Sequence, residues 1–166
     1  LEVSFRCTVP IMTLAHKVAG DPKKVEGRDG LAPIWQQTEN YIDLIETLVD
    51  WSRGLLRVDP SKLIALICRY PKQAMELKEE IEVYLPGEVR LGHRDQFSFE
   101  PGILVTNIHQ VKGLEFDSVA LVEPDEENYP AKREESRNMI YVGITRTQED
   151  LLLATIRPFS SVLIGN

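Results

Sequence analysis

Three short apolar runs mark the second half of the chain: Ile103-Leu104-Val105, Val119-Ala120-Leu121-Val122 and Leu151-Leu152-Leu153-Ala154. A polar, glycine-bearing turn separates the first two, and a stretch of helical spacing from Arg137 to Arg146 precedes the third. Continuous apolar runs of this length fit parallel strands buried on both faces and joined by a crossover helix. Leu63 to Cys68 is a fourth such run, Val89 to Leu91 a shorter one, and Leu1 to Phe5 alternates as a strand. A further short strand fits around Ala32 to Gln36.

Three amphipathic stripes lie between them. Ile11, Leu14, Ala15 and Val18 fall on one face of a helix that Thr8 and Pro10 open and Gly20 closes. Tyr41, Ile42, Leu44, Ile45, Leu48, Val49 and Leu55 form the stripe of a second helix, with a capping region at Thr38 to Asn40. Met75, Leu77, Ile81 and Leu85 mark a third, entered at Pro71 and stopped by Pro86-Gly87. Asp21 to Pro33 and Gly92 to Gly102 read as exposed loops. Alternation of strands and helices predicts an α/β domain with a mostly parallel sheet covered on both faces. No repeat, low-complexity tract or linker divides the chain, so one domain over 1–166 is expected. Its first residues read as a strand already under way, as in a chain cut from a longer one. In such sheets ligands gather at the carboxyl ends of the strands, the place expected for His109, Lys112, Glu115 and Arg146.

Composition narrows the partners. The 166 residues carry a net charge of −7, which argues against binding nucleic acid by bulk electrostatics and leaves only a locally basic channel. No apolar run approaches the ~20 residues of a membrane helix, and no basic segment followed by a long apolar one suggests a signal peptide. Cys7 and Cys68 each end an apolar run without metal-ligand spacing, which fits reduced thiols in the core of a cytoplasmic protein. His16, His93 and His109 are too scattered for a metal site, so no metal is expected. Acidic clusters at Asp125-Glu126-Glu127 and Glu134-Glu135 read as solvated faces, and Trp35 and Trp51 as packing residues. None of the ten glycines belongs to a GxxxxGK[ST] or GxGxxG string, and Lys112-Gly113 has the residues in reverse order. The chain therefore lacks a triphosphate cradle of its own.

Two strings carry a resemblance. His109-Gln110-Val111-Lys112-Gly113-Leu114-Glu115-Phe116 resembles the HxxKGLEF element (motif V) of UvrD/Rep-type superfamily 1 helicases, and Tyr141-Val142-Gly143-Ile144-Thr145-Arg146 resembles their YVAxTRA element (motif VI). Upstream, Ser4-Phe5-Arg6-Cys7-Thr8 is similar to NYRST (motif IV), and Ile67-Cys68-Arg69 to the strand-end "YR" segment. The order of these elements matches the second RecA-like motor domain, called 2A. The resemblance implies a three-layer α/β/α domain of P-loop-NTPase type without its own Walker A loop. It implies ATP and Mg2+ bound mainly by a separate 1A domain of the same polypeptide, and single-stranded DNA as partner.

Residue by residue, the resemblance makes Arg146 the arginine finger and Arg6 a second γ-phosphate arginine. Phe5 would stack on adenine, Glu115 would accept from the ribose hydroxyl, and Gly113 would let the backbone approach. Thr106, Asn107, His109 and Arg69 would face the DNA strand. Phe5 stands for the family's tyrosine, Cys7 for serine, Thr147 for alanine, and Pro71 for a strand-contacting asparagine. The short interval between Arg69 and Ile103 leaves no room for the 2B insertion. That layout, together with the Glu127-Asn128-Tyr129 segment before motif VI, resembles the helicase IV/HelD-like branch and keeps a second function open, an ATPase that remodels RNA polymerase.

Overall fold

A computed structural model describes residues 2–4, 6–93 and 96–165. The amino-terminal half runs β1 (Glu2–Ser4), α1 (Val9–Val18), β2 (Val25–Gly27), β3 (Ile34–Gln37), α2 (Tyr41–Val58) and β4 (Leu63–Cys68). Then follow α3 (Pro71–Tyr84), β5 (Val89–Leu91), β6 (Gly102–Asn107), a 3-10 turn (Ile108–Gln110), β7 (Phe116–Val122), α4 (Glu134–Thr145), β8 (Thr147–Thr155) and α5 (Ser161–Ile164).

Six strands form one sheet in the order β3-β8-β7-β4-β6-β5, and every pairing in it is parallel. β4 is central because both its faces are apolar. Ala65 and Ile67 pack into a layer with α1 and α4, while Ile64, Leu66 and Cys68 pack into the opposite layer with α2 and α3. That period-two division of one apolar run makes the three-layer α/β/α architecture of a RecA-like domain. Asn40 caps α2 by accepting from Asp43 N at 2.9 Å. Thr8 stands at the N-cap of α1 and Pro10 in its first turn, as the sequence predicts, but the Thr8 side chain makes no capping bond.

Several expectations are corrected. β1 does not join the main sheet; it pairs in parallel with β2, inside the segment expected to be an exposed loop. Three residues with one buried position give no periodicity, so only the tertiary pairing reveals β2. α4 starts three residues earlier than expected, β8 spans Thr147–Thr155 rather than its apolar centre alone, and α5 had no sequence signal. Ile42 and Met75 lie on exposed edges of their helices, at 63% and 51% exposure, and Tyr41 is also exposed. Trp35 stands on the outer strand β3, 40% exposed, and meets Phe159 edge-to-face at 5.2 Å. Asp125, expected on a solvated face, has no exposed surface. Among the described residues no helix is long and apolar enough to cross a membrane, and no group of three or more His, Cys, Asp or Glu side chains is arranged to hold a metal.

Candidate nucleotide and nucleic-acid site

Because the sheet is parallel, its two edges differ, and the candidate residues divide between them. Arg69 and His109 follow the carboxyl ends of β4 and β6, whereas Glu115 and Arg146 immediately precede the amino ends of β7 and β8. The expectation that all gather at the carboxyl ends is therefore corrected. The segment 108–115 crosses from one edge to the other beside α4, a helix roughly 18 Å long.

At the amino edge, Arg146 caps the carboxyl end of α4. Its Nε donates to Val142 O at 3.0 Å, Nη2 to Thr145 Oγ1 at 3.0 Å and Nη1 to Leu114 O at 3.5 Å. Phe116 N donates back to Arg146 O at 2.9 Å, so the helix end and the Lys112–Glu115 turn share one face. Leu114 N bonds Val111 O at 2.9 Å, and Gly113 takes φ +81° within that turn, the left-handed region that suits glycine. Glu115 pairs with the Arg6 guanidinium through Oε1 and accepts from Gln148 Nε2 at 3.1 Å through Oε2. Burial, and then the neighbouring Arg6 charge, pushes the Arg146 pKa down. Burial pushes the adjacent Cys7 thiol up, and this thiol donates to Thr145 O at 3.5 Å. Like charges held this close are a site where an anion would be favoured. Phe5 lies outside the described residues.

At the carboxyl edge, Arg69 is nearly buried. Its Nε donates to Asn128 O at 3.2 Å, its Nη1 to His109 Nε2 at 2.8 Å, and its guanidinium lies 4.3 Å from the Tyr70 ring centroid. Since arginine only donates, that His109 nitrogen accepts, and the His109 side chain remains exposed. His109 and Lys112 line a mainly apolar pocket of about 180 Å³ with Ile108, Asn138, Met139 and Val142. Thr106 and Asn107 do not face outward. Thr106 is fully buried and donates to Gly92 O at 3.0 Å; Asn107 Oδ1 accepts from His109 N at 3.1 Å, fixing the 3-10 turn. Their side chains are buried and held by the fold, whereas the resemblance has them face a strand.

Sequence reasoning missed two organising residues. Asn128 accepts from Gln73 Nε2 at 3.0 Å and donates to Glu123 O at 3.1 Å, besides presenting its carbonyl to Arg69. Gln148 holds Glu115. Its place two residues after Arg146 was the available signal; Asn128 stood in the Glu127-Asn128-Tyr129 segment, which pointed to a branch of the family and not to these bonds.

Residues 88–158 match the UvrD-like helicase C-terminal domain family. No curated protein matches the chain. Among solved structures, the C-terminal domain of a possible DNA helicase from Lactobacillus plantarum WCFS1 is similar at 24% identity and a TM-score of 0.80, covering 96% of this chain and 92% of that one. The C-terminal domain of the DEAD-box protein Dbp5 is similar at 15% identity and a TM-score of 0.52, covering 78% of each chain. A Saccharomyces cerevisiae Dbp5 variant, bound to RNA and ADP BeF3, is similar at 14% identity and a TM-score of 0.57, covering 90% of this chain and 43% of that one. Over residues 88–158, which hold Glu115, Arg146 and strands β5 to β8, the chain thus matches the UvrD-like helicase C-terminal domain family, on a fold it shares with the C-terminal domain of a possible DNA helicase.

Proposed function

We propose that this chain is the 2A motor domain of an ATP-dependent superfamily 1 DNA helicase or translocase, a single RecA-like domain over 1–166. It works in a cleft shared with an N-terminal 1A domain of the same polypeptide. The observation that carries this reading is the meeting of Arg6, Glu115 and Arg146, from three distant segments, at one edge of the sheet.

Mg-ATP, seated mainly on 1A, supplies the phosphoryl group that is transferred to water. Arg146 and Arg6 fit the anionic end of that group, since a phosphate between them would relieve the Arg6 repulsion that, after burial, lowers the Arg146 pKa. Arg146 spends three of its five N–H donors on α4 and the 111–115 turn, which orients the guanidinium and leaves two for phosphate oxygens. Glu115, through acceptor capacity beyond its contacts with Arg6 and Gln148, takes the ribose hydroxyl. At the other edge His109 meets single-stranded DNA through phosphate and sugar contacts that carry no sequence information, with Arg69 positioning its ring. α4 and the 108–115 segment join the two edges, so closing the cleft on nucleotide alters the grip on the strand.

A second reading, the motor half of a HelD-like ATPase that remodels RNA polymerase, rests on the direct β4-α3-β5 connection, which carries no insertion. An amino-terminal coiled-coil extension in the full polypeptide would favour it.

The test is DNA-stimulated ATP turnover by the full-length polypeptide. Arg146→Ala is expected to lower kcat by ~10³–10⁵ while nucleotide binding largely survives. Unchanged turnover removes the arginine-finger assignment.

A further inference from the structure

The loop between β2 and β3 holds a residue that no motif contains. Arg28 is exposed, yet its Nη2 donates to Arg6 O at 2.9 Å and to Gln148 O at 2.9 Å. Its own carbonyl accepts from Val9 N at 2.7 Å, at the first turn of α1. The loop is pressed closely against that helix start. A Cβ on Gly30 would lie 2.6 Å from Thr8 Cγ2 and 2.9 Å from Thr8 Cβ, so only glycine lets the backbone approach this near.

These contacts close a ring. Arg28 fixes the backbone of Arg6 and of Gln148, Gln148 Nε2 holds Glu115 Oε2, and Glu115 Oε1 holds the Arg6 side chain. Arg6 enters from a small two-stranded sheet that shares no strand with the main one. Gln148 belongs to β8, two residues beyond Arg146. Without Arg28, Arg6 is tied to that edge through its side-chain pair with Glu115 and through Cys7, which bonds Thr145 O and packs in the layer with α1, while the Arg6 backbone has no such tie among the described residues.

We infer that Arg28 is a positioning residue for the nucleotide-facing cluster, a guanidinium that registers Arg6 against the Glu115–Gln148 edge without touching nucleotide. The inference rests on the proposed role of Arg6 and Arg146 at the γ-phosphate. A planar guanidinium suits the task, because one terminal nitrogen carries two hydrogens and serves two carbonyls from a fixed direction. Lysine carries its donors on a freely rotating ammonium, which holds neither carbonyl in a fixed direction.

The test measures ATP turnover by the full-length polypeptide carrying Arg28→Ala, Arg28→Lys, Arg6→Ala and Arg6→Ala combined with each Arg28 change. Arg28→Ala is expected to lower kcat roughly tenfold to a hundredfold, the scale of a misplacement by about an ångström, with a smaller change in KM for ATP. Arg28→Lys should restore part of the loss. In the Arg6→Ala background neither Arg28 change should lower kcat further, because the residue being positioned is already gone. An unchanged kcat in Arg28→Ala overturns the inference, as does an equal loss with and without Arg6. Should Arg28→Ala fail to fold, Arg28→Lys is judged by the same two comparisons. Arg146→Ala, run beside them, separates the failures: if it leaves turnover intact, the nucleotide-site reading fails and takes this inference with it.

Discussion

Arg6 and Glu115, one beside the β1–β2 sheet and the other at the turn into β7, form an ion pair that stays open to solvent. Their side chains are 50% and 38% exposed, so water screens the pair and it contributes little to stability. Its consequence is electrostatic. The carboxylate is the only acidic side chain that meets Arg6 among the described contacts, and it sits where Arg28 and Arg146 add two more positive charges.

Glu115→Gln keeps the size of the side chain and removes that balancing charge. Thermal unfolding is expected to shift by no more than a few degrees, in keeping with the ~0–1 kcal/mol of an exposed pair. KM for ATP of the full-length polypeptide should rise several-fold, because the acceptor for ribose is weakened. A large loss of stability with KM unchanged would make Glu115 a structural residue only.

Gly113 is a conformational requirement rather than a packing one. No atom lies within 4 Å of where its Cβ would be, but its φ of +81° strains any residue with a side chain. Gly113→Ala should lower stability by about 1–2 kcal/mol, and Gly113→Asn by less, since asparagine tolerates the left-handed region. Chemical unfolding of the three proteins checks the order; equal stabilities would show that the turn rearranges.

Asp125 gives a pH signature. It is fully buried, its Oδ1 accepts from Asn128 N at 2.8 Å, and burial raises its pKa above the ordinary 3.8. The folded protein therefore holds this proton more tightly than the unfolded chain does. Its ionised form costs stability above the folded pKa, and the cost disappears as pH falls below the ordinary value. Asp125→Asn keeps the acceptor and removes the charge. At pH 7 it should unfold a few degrees above the parent, and the gap should close as pH is lowered towards 4. A gap that does not vary with pH would rule out the buried charge as its cause.

Local spacing determined much of this protein. The apolar run Leu63–Cys68 has both faces hydrophobic, so it had to be a central strand, and the helical stripes in α1, α2 and α3 could only cover such a sheet. The strings around Lys112–Glu115 and Tyr141–Arg146 were equally legible, because a turn needing glycine and a helix end carrying arginine are encoded within a few residues. Tertiary structure alone decided what those residues meet. β2 and the Arg28 bridge depend on partners over a hundred residues away in the case of Gln148, and a three-residue strand or a single loop arginine has no period to read. Thr106 and Asn107 look like solvent-facing polar groups in a string of letters. The end of a parallel strand is where backbone hydrogen bonding runs out, and there both were taken up to satisfy the chain itself. The division of the site between two edges has the same origin: sequence order records which residue follows a strand, and only the folded sheet sets the edge it reaches.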